Sequence, residues 1–272
     1  MTDYGLHTTG KLLEYALMRP CPDVFCFSTT RQGGVSTGAY ASLNCTSYTG
    51  DDPECVRRNR QILAEALPFP PRELVIPWQT HDTRVLSIGH TYLQSTPRER
   101  ESQLQGIDAL TTREPGVCLC ISTADCIPIL LYDKKHRAIA AVHAGWRGTA
   151  GFITNHVLHH MHTLYGTVGA DLLACIGPGI SPEAFEVGDE VYQAFRQAGF
   201  PMEHIAHRHP TTGKWHIDLP QANRLQLLDF GIPARQIESC GICTYTRHEE
   251  FFSARRLGIK SGRILSGILL RP

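Results

Sequence analysis

The chain has no excess of either charge: 26 Lys+Arg balance 26 Asp+Glu over 272 residues, a formal net charge of zero. No global field therefore draws in nucleic acid or an anionic membrane, and neither is an expected partner. Residues 1–20 lack the apolar core and small-residue cleavage pattern of a secretion signal, carrying Asp3, Lys11, Glu14 and Arg19 instead. The most apolar segment, 117–132, is interrupted by Asp125 and Pro128 and is too short to span a bilayer. A soluble, cytoplasmic protein is the expectation. Internal repeats and low-complexity linkers are also missing. The loop Thr30-Arg31-Gln32-Gly33-Gly34-Val35-Ser36 has no following Gly-Lys-Ser/Thr, so it is not a P-loop. No GxGxxG occurs, which disfavours a nicotinamide or flavin Rossmann site.

What is present has a globular balance, with 42% hydrophobic and 19% charged residues. The length suits one large domain or two small ones. Ten cysteines without a secretion signal read as thiols rather than as a disulfide framework. Cys118 and Cys120 alternate as residues on one strand face do. Cys240 and Cys243 form a lone CxxC, a weak sign of redox or metal chemistry. His156, His159, His160 and His162 share one helical stretch and read as a solvated face. Residues 91–105 read as an exposed polar excursion.

Apolar runs at 24–27, 74–76, 85–88, 117–121, 129–132, 138–142 and 172–176 read as strands. Helices are expected over 53–67, 149–165, 186–198 and 219–230. Thr149 is placed to cap the second of these, whose apolar repeat runs through Ile153, Val157, Met161 and Leu164. Val187, Val191 and Phe195 form the stripe of the third, and Gly231 stops the fourth. The mixture predicts an α/β or α+β domain with helices covering sheets.

Three segments place a ligand or nucleophile beside a strand end, where such folds gather functional groups. His81 lies between the runs at 74–76 and 85–88. Cys126 lies in a turn between two apolar runs, with Pro128 expected to delay the second strand. His143 ends a strand before Gly145-Trp146-Arg147-Gly148. Two imidazoles and a thiolate suit zinc, leaving a fourth position for water, and the same set can hold copper. The separations of 45 and then 17 residues match no compact metal motif. On chemistry alone the three are either one site or unrelated strand-end residues. Asp125 and Asp82 stand next to them as candidate hydrogen-bond helpers or solvated turn acids. The glycine-bearing turn at 145–148 opens a helix and, with Arg147, reads as a candidate anion site.

Taken together, longer motifs resemble a known family. They are STTRQGGVSTGAYASLN at 28–44, Gln79-Thr80-His81, Asp108-Ala109-Leu110, Thr123-Ala124-Asp125-Cys126 and His143-Ala144-Gly145-Trp146-Arg147-Gly148. Ile176-Gly177-Pro178, Phe185-Glu186-Val187-Gly188, His216-Ile217-Asp218-Leu219, Cys243-Thr244 and Phe251-Phe252-Ser253 continue the match. From about residue 27 to 263, the chain resembles the YfiH-like or laccase-domain family, formerly labelled multicopper polyphenol oxidases. Asp82 stands where that family more often has Gly, and Cys45 where it has an aliphatic residue; both differences bear on the pocket rather than on the trio.

The resemblance implies a single α+β domain over 1–272, with a β-sandwich-like mixed-sheet core covered by helices, similar to certain deamidating toxins. It implies that His81, Cys126 and His143 form one catalytic metal site, with Zn2+ as cofactor and copper as the alternative. It implies phosphorolysis of adenosine, inosine, guanosine and methylthioadenosine, and deamination of adenosine. Purine nucleosides and phosphate are the implied partners of a monomer. Under that reading Arg31, Arg60 or Arg147 would hold phosphate, Asn44 would bond base or ribose, and Asp125 would assist. The family also offers two other activities: copper-dependent phenol oxidation and hydrolytic editing of peptidoglycan precursors. His207-Arg208-His209 has the His-x-His form, but no set of such motifs in the paired arrangement that a multicopper oxidase needs is evident.

Overall fold

The computed structural model describes residues 10–272; the earlier residues, including Asp3, lie outside them. The chain opens with β1 (Leu12–Glu14), β2 (Val24–Thr29), α1 (Pro53–Ala66), β3 (Glu73–Val75) and β4 (Val85–Ser87). Next come α2 (His90–Gln94), α3 (Pro97–Gln103), β5 (Ala109–Thr112), β6 (Val117–Thr123), β7 (Ile127–Asp133) and β8 (Ala138–Ala144). α4 (Trp146–Ala150), α5 (Ile153–Tyr165), β9 (Leu172–Ile176), β10 (Glu186–Val187), α6 (Asp189–Gln197) and α7 (Met202–Ile205) follow. The rest is β11 (Ala206–Arg208), β12 (Trp215–Ile217), α8 (Leu219–Asp229), β13 (Ile237–Ser239), α9 (Ala254–Leu257) and β14 (Ile264–Leu270).

Two large mixed sheets form the body, in strand orders β1-β2-β14-β6-β3 and β13-β9-β7-β8-β5-β4. A third, β10-β12-β11, is small and antiparallel. All seven residues of β6, β7, β8 and β14 are buried. Such strands read as continuous apolar runs because both faces are covered, and alternation decides which layer each residue joins. Val117, Leu119 and Ile121 meet Leu130, Ile139, Ala141 and Ile268 between the large sheets. Cys118 and Cys120 point the other way, toward Leu63 of α1. Ile127, Ile129, Leu131 and Val142 face α5, α6 and α8 through Val157, Met161, Phe195 and Leu227. The result is a β-sandwich with helices on both outer faces, as the resemblance implied. No described helix is long and apolar enough to cross a membrane.

Several local expectations are corrected. β7 begins at Ile127 and takes in Pro128, whose carbonyl accepts from Gly177 N at 2.9 Å. A proline second in its strand forfeits only one ladder bond there. Thr149 does not cap α5. It lies in α4, and Phe152 stands at the α5 N-cap with φ +60°. Thr149 is buried instead, where Asn223 Nδ2 donates to its hydroxyl at 3.0 Å. Leu164 is 51% exposed, so the buried stripe ends at Met161. Val187 belongs to β10 rather than to the following helix. Residues 91–105 carry most of α2 and all of α3, the latter opened by a Thr96–Glu99 capping box with Pro97 at its start.

Candidate metal centre

His143 arrives on β8, the most protected route available. Its side chain is 3% exposed, and its backbone N–H donates to Asp108 O at 2.8 Å. Its Nδ1 lies 2.7 Å from Asp108 Oδ1. An ionised carboxylate there keeps the proton on Nδ1 and turns Nε2 toward a ligand.

His81 arrives in an exposed turn between β3 and β4, with φ +64°. A non-glycine residue in that region is strained unless neighbours hold it. The same Asp108 does so. Its Oδ2 accepts from Thr80 N at 3.1 Å and Asp82 N at 2.9 Å, and its Oδ1 from His81 N at 3.0 Å. Gln79 ties the turn to the end of β6: its amide donates to Ser122 O and accepts from Ser122 N, both at 2.8 Å.

Cys126 follows Asp125, whose φ is +86°. Thr244 Oγ1 and Arg255 N donate to the two Asp125 carboxylate oxygens, each at 2.7 Å. Asp125 is therefore an anchor for the Cys126 turn, and its oxygens are engaged within the protein. Asp82 is an exposed turn acid that accepts from Thr83 N at 2.8 Å. The carboxylate that orients the imidazole is neither of these but Asp108.

The three side chains converge. One ligand atom from each of His81, Cys126 and His143 lies within 4.8 Å of the others. The imidazoles meet edge to face, 4.8 Å between centroids. Gly145 makes room for them: a Cβ there would sit 2.9 Å from His81 Cδ2 and 3.0 Å from Cys126 Sγ. The glycine thus admits the trio, which differs from the anion-binding role expected of the 145–148 turn. The α4 that follows is only five residues long. His143 is buried, Cys126 half-buried and His81 exposed, so the cluster opens on one side.

Electrostatics suit ligation. Burial alone would raise the Cys126 thiol, but His143 and His81 beside it hold its pKa down to about 6. Burial would lower His143, yet the thiolate and Asp108 push it up to about 9. The metal-free pair is thus a thiolate beside an imidazolium. One sulfur and two nitrogens within this span fit a tetrahedral ion with a fourth position open.

The remaining candidates lie elsewhere. Asn44 is fully buried. Its Nδ2 donates to Asp51 Oδ2 at 2.9 Å, and its Oδ1 accepts from Arg263 N at 3.1 Å. It is thus spent on the protein rather than free for base or ribose. Arg31 donates to Ala41 O and His248 O, both at 2.7 Å, and covers Phe252. Arg60 donates to Cys45 O at 2.8 Å, and Arg147 lies exposed over Trp146. None of the three is gathered into the cluster. His207 and His209 stack on His216 around the small sheet and do not join the trio. Cys240 and Cys243 are free thiols, the latter accepting from Ser181 N. Asp108 is the residue that sequence reasoning left without a role. Its sign was its place at the head of β5, the strand that pairs with β8.

A family model described as multi-copper polyphenol oxidoreductase laccase matches residues 25–271. Over 260 residues the chain is 57% identical to a purine nucleoside phosphorylase of Bacteroides thetaiotaomicron, covering 96% of each chain. It is 44% identical to adenosine deaminase RL5 from an unknown prokaryotic organism, covering 90% of this chain and 93% of that protein. The crystal structure of YlmD from Geobacillus stearothermophilus superposes with a TM-score of 0.89 at 33% identity, covering 98% of both chains.

Proposed function

This chain belongs to the multi-copper polyphenol oxidoreductase laccase family, the group of YfiH and YlmD, and from that premise we propose that it is a zinc-dependent purine nucleoside enzyme. Its reactions would be phosphorolysis of adenosine, inosine, guanosine and methylthioadenosine, and deamination of adenosine. The observation that carries this reading is the His81–Cys126–His143 cluster, open on one side, in a chain whose relatives are named for those two activities.

When bound, zinc would supply Lewis acidity and an activated water. The chain's own residues do the positioning. One carboxylate, Asp108, orients the His143 ring so that its Nε2 lone pair faces the ligand position, and holds the His81 turn through its backbone N–H. Cys126 holds its negative charge near neutral pH. In phosphorolysis a phosphate oxygen bonds to the sugar C1′ as the C1′–N bond breaks, and the purine leaves with the electron pair and takes up a proton. In deamination a water oxygen bonds to the purine six-position and ammonia leaves. Neither reaction needs an oxidant.

A thiolate with two imidazoles would also accept copper. The test is a metal-defined screen of zinc-loaded and copper-loaded protein. The expected result is ribose-1-phosphate and free base from inosine with phosphate, and inosine from adenosine without it. Oxygen uptake with phenols by the copper form, and no nucleoside turnover by the zinc form, would overturn the proposal.

A further inference from the structure

Arg263 stands immediately before β14. Ile264 pairs with Thr123 in an antiparallel register, so Arg263 lies across from the segment that runs through Asp125 to Cys126. Its guanidinium is pinned along one side by carbonyls. Nη1 donates to Ser261 O at 2.6 Å and Gly262 O at 3.0 Å, with Ser261 Oγ at 3.5 Å, and Nη2 donates to Ile259 O at 2.9 Å. These bonds occupy both Nη1 hydrogens and one on Nη2. The Nε–H and the second Nη2–H have no partner among the described residues. Those two donors are the parallel fork with which arginine grips a tetrahedral oxyanion.

The charge of Arg263 also has no carboxylate across a salt bridge among the described residues. Burial works against that charge and lowers the pKa, while Tyr48, Cys126 and Asp125 face it and act in the opposite direction. A half-buried cation held by carbonyls, with an open fork and no carboxylate in ion-pair contact among the described residues, is a site arranged for an incoming anion. The arginines suggested by sequence lack this combination. Arg31 and Arg60 give their Nε–H to the carbonyls of Ala41 and Cys45, so neither keeps the Nε–Nη2 fork, and Arg147 lies over Trp146 in solvent.

We propose that Arg263 is the phosphate anchor of this site, gripping inorganic phosphate through its Nε–H and free Nη2–H beside Cys126. This rests on the nucleoside-phosphorylase reading for its catalytic meaning, though not for the binding itself. The held phosphate then bonds through one oxygen to C1′ while the purine departs with the C1′–N electron pair. Deamination uses water in place of phosphate and does not need this anchor.

The experiment compares zinc-loaded wild type, Arg263→Gln and Arg263→Lys. It measures inosine phosphorolysis across phosphate concentrations, adenosine deamination in phosphate-free buffer, zinc content, and direct binding of inorganic phosphate by calorimetry. The expected result for Arg263→Gln is a KM for phosphate raised roughly 10–100-fold, as for loss of a charge-assisted hydrogen-bond pair. Its deamination and zinc content should stay near wild type. Arg263→Lys should recover part of the loss, because it restores charge without the fork. An unchanged KM for phosphate, or deamination and zinc falling in parallel with phosphorolysis, would overturn the proposal. If the wild type turned over no nucleoside, the functional reading would fail by itself. Calorimetry would then still decide Arg263: phosphate binding lost in Arg263→Gln supports the anchor, and equal binding in both proteins refutes it.

Discussion

His143 and His81 offer the same imidazole from opposite kinds of structure. His143 is fixed by a fully buried strand and by a 2.7 Å bond from its ring to Asp108. His81 is exposed, in a turn at φ +64°, and Asp108 reaches it only through the backbone. One carboxylate thus sets the ring of the first and the main chain of the second. The contrast teaches that half of this centre is built into the sandwich, while the other half is held against backbone strain by hydrogen bonds alone.

The largest expected effect comes from removing what the two halves share with the metal. Cys126→Ala should bring nucleoside turnover to background while the circular dichroism spectrum stays native; retained turnover would mean that the thiolate is dispensable. Asp108→Asn should strike both halves together. Metal affinity should drop about 10–100-fold, the usual cost of losing such an orienting carboxylate, as read by competition with a chelator. If only the His81 half depends on Asp108, the drop will be far smaller. Gly145→Ala should also cost metal, because its Cβ would sit 2.9 Å from His81 Cδ2 and 3.0 Å from Cys126 Sγ. Unaltered zinc content in that variant would show that the His81 turn gives way freely.

The pH response has a defined sign. Between about 6 and about 9 the metal-free site carries a thiolate and an imidazolium, so binding an ion must expel the His143 proton. Affinity should therefore rise with pH across this window, with about one proton released per ion. Below about 6 Cys126 is protonated as well, and the release should increase. Calorimetry in buffers of different ionisation enthalpy counts the protons; none released at pH 7.5 would contradict the assignment. The smallest effect is Thr244→Val, which removes one of two donors to Asp125. It should lower stability by about 1 kcal/mol, or roughly 2–4 °C in Tm, with little change in metal content.

Much of this was legible in the chain. Continuous apolar runs became fully buried strands because both sheet faces are covered, and the alternation of Cys118 and Cys120 correctly set one face. The trio could be picked out because each member stands near a strand end. The β7–β8 hairpin sets His143 opposite Pro128 and so beside the Cys126 turn, but the arrival of His81 could not be read from spacing, because its turn is held by Asp108 and Ser122 from other strands. Asp108 escaped for the same reason: its partners lie 27 and 35 residues away. A sequence records an arginine's charge and not its pairing. Arg31 and Arg60 each give their Nε–H to a carbonyl, whereas the Nε–H of Arg263 has no partner among the described residues. Thr149 looked like a cap because helical periodicity continues across the break at Phe152.

X-ray absorption at the zinc edge on the purified, zinc-loaded protein tests the central claim most directly. The account predicts one sulfur at about 2.3 Å, two imidazole nitrogens at about 2.0–2.1 Å and one further light atom, with a single ion per chain. A shell without sulfur, or four protein ligands closing the site, would contradict it.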